Sequence, residues 1–300
     1  MFQTKAKINY NRNIKKNYYE ISLFAPQIAG IALPGQFVNI KVGDVIEPLL
    51  RRPLSIHRIG KSQIANRKSQ NRIIILYEEV GIGTEILARK KAGEYLDVIG
   101  PLGNGFDYRL PFTVYRLPIL VAGGMGTAPL VFLAERIIAN RQSPIANRQS
   151  LVLIGAKTKN QILCEREFKN LGYEVKIATD DGSKGFKGKV TDLLKRILSL
   201  AISDLRFAIY ACGPTAMLKE ISCISQEYNI PAQISLEAHM ACGIGACMGC
   251  VVKIANRKSP IANGFDGSAS LTINPERSRR IEYKRVCYEG PVFEASEIVW

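Results

Sequence analysis

The sequence predicts a multidomain chain of β followed by α/β structure: a small antiparallel β-barrel, a doubly wound parallel sheet and a small C-terminal cysteine module. Three observations carry that prediction. Short apolar runs separated by glycine turns fill the first hundred residues. Strand-like and helix-like stretches alternate from about residue 112. Three cysteines fall within the eleven residues MACGIGACMGC, 240–250. The predicted divisions are 1–111, 112–230 and 231–300.

In the first region FVNIKV (37–42) alternates in polarity, RIIILYEEV (72–80) is rich in isoleucine, and EYLDVIG (94–100) ends on glycine. Turn signals recur at PGQ, VGD, GIG, KAGE and PLGNG. Short strands at this spacing predict a small antiparallel barrel. In the second region LPILVAG, LVLIGAK (151–157), YEVKIAT (173–179) and RFAIYACG (206–213) read as strands. GMGTAPLVFLAERII, VTDLLKRILSL and TAMLKEISCISQEY read as helices, and the alternation predicts a parallel sheet. The most apolar stretch, 117–134, approaches the length of a membrane span, but Pro118, Pro129, Gly123, Gly124 and Gly126 break it into a strand, a turn and a helix start. After Pro231 helix signals fade into the cysteine-rich tail.

The formal net charge is +15, which in an evenly basic chain would suggest nucleic acid. Its distribution argues otherwise. IANRKS occurs at 64–69 and 254–259, IANRQS at 138–143 and 145–150. Segments 61–72, 138–150 and 254–263 hold eight Lys or Arg and no acid, more than half of the net charge. Their spacing is too irregular for a solenoid. They read as one sequence inserted three times at exposed loop tips, and no nucleic-acid partner is expected. MFQTKAKINY has no apolar run, so no secretory signal is expected there. Seven cysteines, an odd number without an export signal, favour reduced thiols, metal ligation and a cytoplasmic location over a disulfide framework.

Cys242, Cys247, Cys250 and Cys287 stand as C-x4-C-x2-C followed at a distance by C, the plant-type [2Fe–2S] spacing. A compact cluster needs thiolates converging from one tight loop and backbone N–H groups near its sulfides. Gly243, Gly245, Ala246 and Gly249 permit that approach. A zinc-stabilised binding module without redox activity is the competing reading, although four-cysteine zinc sites favour two C-x2-C knuckles and only Cys247 and Cys250 make one. Ordinary burial is the expectation for Cys164 and Cys223. His57 and His239 are the only histidines, and neither is given a proton-transfer role.

A one-electron cluster needs a redox partner earlier in the chain. In Arg51-Arg52-Pro53-Leu54-Ser55 an arginine fork can meet a pyrophosphate. Gly81-Ile82-Gly83-Thr84 opens a helix-like stretch whose N–H groups can bind phosphate, or else is a plain capped turn. Gly123-Gly124-Met125-Gly126-Thr127 lies between a strand and a helix, where doubly wound sheets bind nucleotides, and Cys212-Gly213-Pro214 ends a second strand at the same edge. Tight helix–strand packing is the alternative for each glycine group. The full G-x-G-x-x-G pattern and its ribose-binding acid are absent.

RPLS, GT, GGMGTAP and YACGPTAML in that order resemble the ferredoxin-reductase family of flavoproteins. With RRPLSI, PLGNGF, CGIGACMGC and RVCYEGPVF, the chain resembles the electron-transfer subunits of class 1B dihydroorotate dehydrogenase over nearly its whole length. The resemblance implies FAD held by Arg52, Pro53, Leu54, Ser55, Leu76, Tyr77 and Glu78, with Gly83 and Thr84 at the pyrophosphate. It implies NAD at Gly123, Gly124, Gly126, Thr127, Cys212, Gly213 and Pro214, and a [2Fe–2S] cluster on the four cysteines. No catalytic acid or base is implied in this chain. The implied partner is an FMN-containing catalytic subunit, in a heterotetramer of two catalytic and two electron-transfer subunits. The implied activity is electron transfer to NAD+ in pyrimidine biosynthesis, with no membrane involved. Subunits of sulfide dehydrogenase and of NADH-dependent ferredoxin:NADP oxidoreductase are similar. One departure is the stretch from Cys250 to Cys287, longer than the family pattern leads one to expect.

Overall fold

The computed structural model describes residues 1–43, 47–61, 70–108, 116–140, 150–200, 206–257 and 279–300. The chain opens with two antiparallel strands, β1 (Phe2–Lys15) and β2 (Tyr18–Phe24), followed by the short helix α1 (Pro26–Ile31). Strands β3 (Phe37–Lys41), β4 (Arg52–Ser55), β5 (Arg58–Lys61), β6 (Gln70–Glu78) and β7 (Tyr95–Leu102) complete an antiparallel sheet in the order β4-β3-β7-β1-β2-β6-β5, with helix α2 (Ile82–Arg89) between β6 and β7. The two edges, β4 and β5, are consecutive in the chain. Only Ile56 and His57 join them: the Ile56 N–H bonds Gln36 O at 3.1 Å and the His57 N–H bonds Ile74 O at 2.9 Å. That link curls the sheet into the expected barrel around Ile8, Ile21, Leu23, Val38, Ile40, Ile73, Ile75 and Val98.

The second sheet contains β8 (Arg116–Gly123), β9 (Leu151–Ala156), β10 (Glu174–Thr179), β11 (Phe186–Lys187), β12 (Arg206–Cys212) and β13 (Ala232–Ser235), all parallel, in the order β11-β10-β9-β8-β12-β13. Helices α3 (Thr127–Ala139), α4 (Glu165–Asn170), α5 (Val190–Leu200) and α6 (Thr215–Glu227) supply the crossovers. Two separate cores flank the sheet, one under α3 and α4 and one under α5 and α6. That double burial is why Ile119, Leu120, Val121 and Ala122 in β8 are consecutive apolar residues with no exposure. The order reverses between β8 and β12, so their C-terminal ends form the switch point of the sheet.

The tail contributes the hairpin β14 (Val251–Arg257) and β15 (Arg279–Arg285), and then β16 (Val292–Glu294), which pairs antiparallel with β13. Ala232–Ser235, read from sequence as the start of the cysteine module, is thus a strand of the parallel sheet, because its four residues are all buried against β12. The loop-tip reading of the inserts also needs correction at one copy. Ile254 to Arg257 continue β14, with Ile254 only 1% exposed and the Ala255 N–H bonding Glu297 O at 2.7 Å. The copy at 64–69, residues 141–149 and residues 258–263 lie outside the described residues.

Candidate functional site

A cleft of about 680 Å³ opens where the barrel, the edge of the parallel sheet and the start of the cysteine module meet. Arg52, Pro53, Leu54 and Ser55 of β4 and Leu76, Tyr77 and Glu78 of β6 line one wall, together with Thr84. All were singled out from the sequence. The two adjacent arginines divide their duties. Arg51 is held by Asp97, Nη2 to Oδ2 at 3.0 Å, and that ion pair with its hydrogen bonds outweighs burial in keeping the carboxyl below its usual range. Arg52 instead lies on the first turn of α2, where a Cβ on Gly83 would come within 2.1 Å of Arg52 Nε. Thr84 Oγ1 accepts from the Val80 N–H at 2.9 Å and the Gly81 N–H at 3.2 Å, so its hydroxyl fixes the turn. The Arg52 guanidinium, with Nη1 donating to Leu50 O at 2.6 Å, thus lies over the N-terminal turn of the helix, an arrangement that fits a pyrophosphate.

The sheet edge forms the second wall through Met125, Ala128, Pro129, Cys212 and Thr215. Gly123, Gly124, Gly126, Thr127, Gly213 and Pro214 do not line the cleft. They pack against one another instead. A Cβ on Gly126 would fall 2.0 Å from Cys212 O, and one on Gly213 would fall 3.0 Å from Gly123 Cα, so the two turns pack back to back. Thr127 Oγ1 donates to Gly124 O at 3.0 Å and closes the first turn.

A third wall, Ser235, Leu236, Glu237, Ala238, His239 and Met240, was not read from the sequence as a site. It runs on from β13 and carries an acid, Glu237, that stays exposed. Desolvation by the surrounding wall raises its carboxyl above the ordinary range, and burial with that neighbouring carboxylate pushes the Cys212 thiol up to about 12. Only the position of β13 in the sheet reveals this wall. In sequence, LEAH looks like a loop.

Two residues beyond Met240 the cysteine loop begins. The Cys247 N–H points at Cys242 Sγ at 3.3 Å, and the Cys287 N–H at Cys250 Sγ at 3.5 Å. Burial pushes the Cys242 thiol up, but the N–H groups of Cys247, Ile244 and Ala246 outweigh it and bring the thiol down to about 6. Cys287 is pushed up to about 12 by burial and by the adjacent Cys250. The four cysteines therefore stand as two pairs, Cys242 with Cys247 and Cys250 with Cys287. Two thiol pairs with N–H groups aimed at sulfur fit a binuclear cluster.

The long connection before Cys287 does not displace it. Val251 pairs with Arg285, the Val286 N–H bonds Cys250 O at 2.9 Å, and Arg285 donates from Nη1 to Gly245 O while its ion pair with Glu289 holds it in place.

Fold and site together define a flavin-dependent reductase of the ferredoxin-reductase type with an added iron–sulfur domain. Residues 120–222 match the oxidoreductase NAD-binding domain, and residues 237–264 match the iron-sulfur cluster binding domain of dihydroorotate dehydrogenase B. The chain is 39% identical over 295 residues, covering 98% of this chain and 97% of the other, to a Desulforamulus reducens protein named dihydroorotate dehydrogenase B (NAD(+)), electron transfer subunit. It is 37% identical to a protein of the same name from a Geobacillus species, covering 100% of this chain and 99% of the other. The solved NADH-dependent reduced ferredoxin-NADP oxidoreductase aligns with a TM-score of 0.73 at 26% identity over 99% of this chain and 90% of its own. The ferredoxin reductase of carbazole 1,9a-dioxygenase aligns at 0.60 and 18% identity over 77% of this chain and 67% of its own, sharing the fold. The chain belongs to the family of electron transfer subunits of dihydroorotate dehydrogenase B. It is an oxidoreductase subunit with FAD, NAD and [2Fe–2S] cofactors. Among the described residues no helix is long and apolar enough to cross a membrane.

Proposed function

We propose that this chain takes electrons from a dihydroorotate-oxidising catalytic subunit carrying FMN and delivers them to NAD+. The entry point is a [2Fe–2S] cluster on Cys242, Cys247, Cys250 and Cys287, and FAD lies in the cleft. The observation that supports this most is adjacency: the segment Ser235–Met240 lines the cleft, and the cluster loop starts two residues later. When bound, a flavin exchanges single electrons with a cluster and a hydride with nicotinamide.

The residues of this chain hold and orient these groups. Arg52, Gly83 and Thr84 would anchor the pyrophosphate of FAD. Pro53, Leu54, Ser55, Leu76, Tyr77 and Glu78 would flank its ring system. Gly123, Gly124, Gly126 and Thr127, with Cys212, Gly213 and Pro214, would form the switch-point turns under NAD. No proton transfer is assigned to any side chain. The boundaries 1–111, 112–230 and 231–300 would separate the flavin, nicotinamide and cluster duties, with β13 lending its strand to the middle unit. Two copies would assemble with two catalytic subunits. Seven free cysteines and no disulfide support a reducing, cytoplasmic setting.

The test is anaerobic co-expression with the dihydroorotate dehydrogenase catalytic subunit of the same organism, followed by dihydroorotate-dependent NAD+ reduction. Activity that disappears in Cys247→Ser supports both partner and route. NADH that bleaches flavin and cluster without any dihydroorotate activity would point to the second reading. That reading, a subunit related to NADH-dependent ferredoxin:NADP oxidoreductase, draws on the full-length structural likeness.

A further inference from the structure

We propose that Asn39 is a positioning residue for the cluster, fixing the Cys242 end of the loop against the flavin-side sheet and setting the cluster's reduction potential. The proposal rests on the cluster assignment above.

Asn39 sits in β3, opposite Pro53 of the cleft wall, and is 1% exposed. Its Nδ2 donates to the carbonyl of Cys242 at 3.2 Å. The next residue, Gly243, has a φ of +68°, and a Cβ there would fall 2.3 Å from Asn39 Nδ2. Glycine is therefore required twice at one position, for the left-handed backbone and for the approach of this amide. The loop is shaped to receive Asn39.

The other half of the amide shows what the contact is for. Asn39 Oδ1 is buried and has no hydrogen-bond partner among the described residues. Leaving a buried carbonyl unpaired costs stability, and an apolar side chain branched at the same carbon, such as leucine, would leave no polar group unpaired. Stability therefore does not ask for an amide here, whereas the contact with Cys242 does. A donor at the carbonyl of a cluster ligand draws electron density away from that ligand. This favours the more negative, reduced cluster, and hydrogen bonding around the ligands is an established control of potential. The same bond is also a direct polar link between the cluster loop and a strand of the cleft wall, from Cys242 through its carbonyl and Asn39 to β3 and β4.

The experiment uses the full chain with its own FAD and cluster. Asn39→Leu and Asn39→Asp are compared with wild type by iron and FAD content, by EPR of the dithionite-reduced cluster, and by an EPR-monitored redox titration. Asn39→Leu removes the donor on a side chain branched at the same carbon, and Asn39→Asp keeps the shape but replaces the donor with an acceptor. With iron and FAD at wild-type levels, both should show altered g values and a lower cluster potential, lower still for Asp. A smaller fraction of cluster should then be reduced at a fixed NADH/NAD+ ratio. Should the leucine variant fail to accumulate, Asn39→Ser, which removes the amide without adding bulk, carries the same expectation. Unchanged g values and potential in fully loaded variants would overturn the proposal. Absence of any [2Fe–2S] signal in wild type would sink the cluster assignment, and the role of Asn39 with it.

Discussion

Replacing Gly83 with alanine places a methyl carbon 2.1 Å from Arg52 Nε and 2.6 Å from its Cζ and Nη2. Ordinary contact begins near 3.4 Å, so the guanidinium must leave the first turn of α2. The helix itself should not suffer. Gly83 lies outside the left-handed region, and alanine is favoured over glycine in a helix by up to about 1 kcal/mol. The loss falls on the ligand. A charge-assisted hydrogen bond contributes roughly 1.5–3 kcal/mol, so the Kd for FAD should rise by about 10- to 150-fold. The assay is titration of deflavinated protein with FAD by quenching of flavin fluorescence, paired with thermal unfolding of the same apoprotein. The expected pattern is opposite in sign: weaker FAD binding with an apoprotein Tm that is unchanged or slightly higher. Arg52→Ala should weaken FAD comparably, and the double variant should be little worse than either single one, because both remove the same contact. An FAD affinity within twofold of wild type for Gly83→Ala would refute the pyrophosphate assignment.

Other expectations follow from buried groups and from the inserts. His57, 1% exposed, donates from Nδ1 to Ala128 O at 2.9 Å, and burial holds its pKa down at about 4. The unfolded imidazole takes up its proton near pH 6.5, so the unfolded state binds more protons between there and 4. Stability should fall by up to about 3 kcal/mol as pH drops through that window. His57→Asn, which keeps a donor but does not titrate, should flatten that part of the urea-unfolding profile against pH. An equal slope would rule the histidine out. Lys61 and Gln70 are cross-strand partners, so residues 62–69 can be exchanged for a two-residue turn with FAD content and Tm nearly unchanged. Deleting Ile254 to Arg257 should abolish cluster incorporation, and retention of full iron would contradict the role of Ile254 in the core.

Much of the site was legible because its chemistry depends on short spacings. Four cysteines at plant-type intervals, an arginine before Pro-Leu-Ser and glycine turns at strand ends each state a local requirement of backbone or ligand. The N-terminal hairpin of β1 and β2 was not predicted, since in β1 only Ala6 and Ile8 are buried and the apolar alternation is correspondingly short. The wall around Glu237 was equally hidden, because nothing local marks LEAH as the continuation of a buried strand.

The sequence by itself determined the β-then-α/β order of the fold, the spacing of the four cysteines and the glycine positions where chain segments must meet closely. Only the tertiary structure decided which residues of those motifs face the cleft and which hold it together. It separated Arg52 from Arg51 by giving Arg51 to Asp97, and it drew Cys287 to Cys250 across a long connection through the pairing of β14 with β15. The repeats give the physical reason. IANR at 254–257 is a strand because Val286, Ile298 and the rest of the module core surround Ile254. The same four letters at 64–67 lie outside the described residues, between Lys61 and Gln70, which pair across β5 and β6. Local sequence carries only propensity, and burial against distant residues is what makes Ile254 to Arg257 a strand.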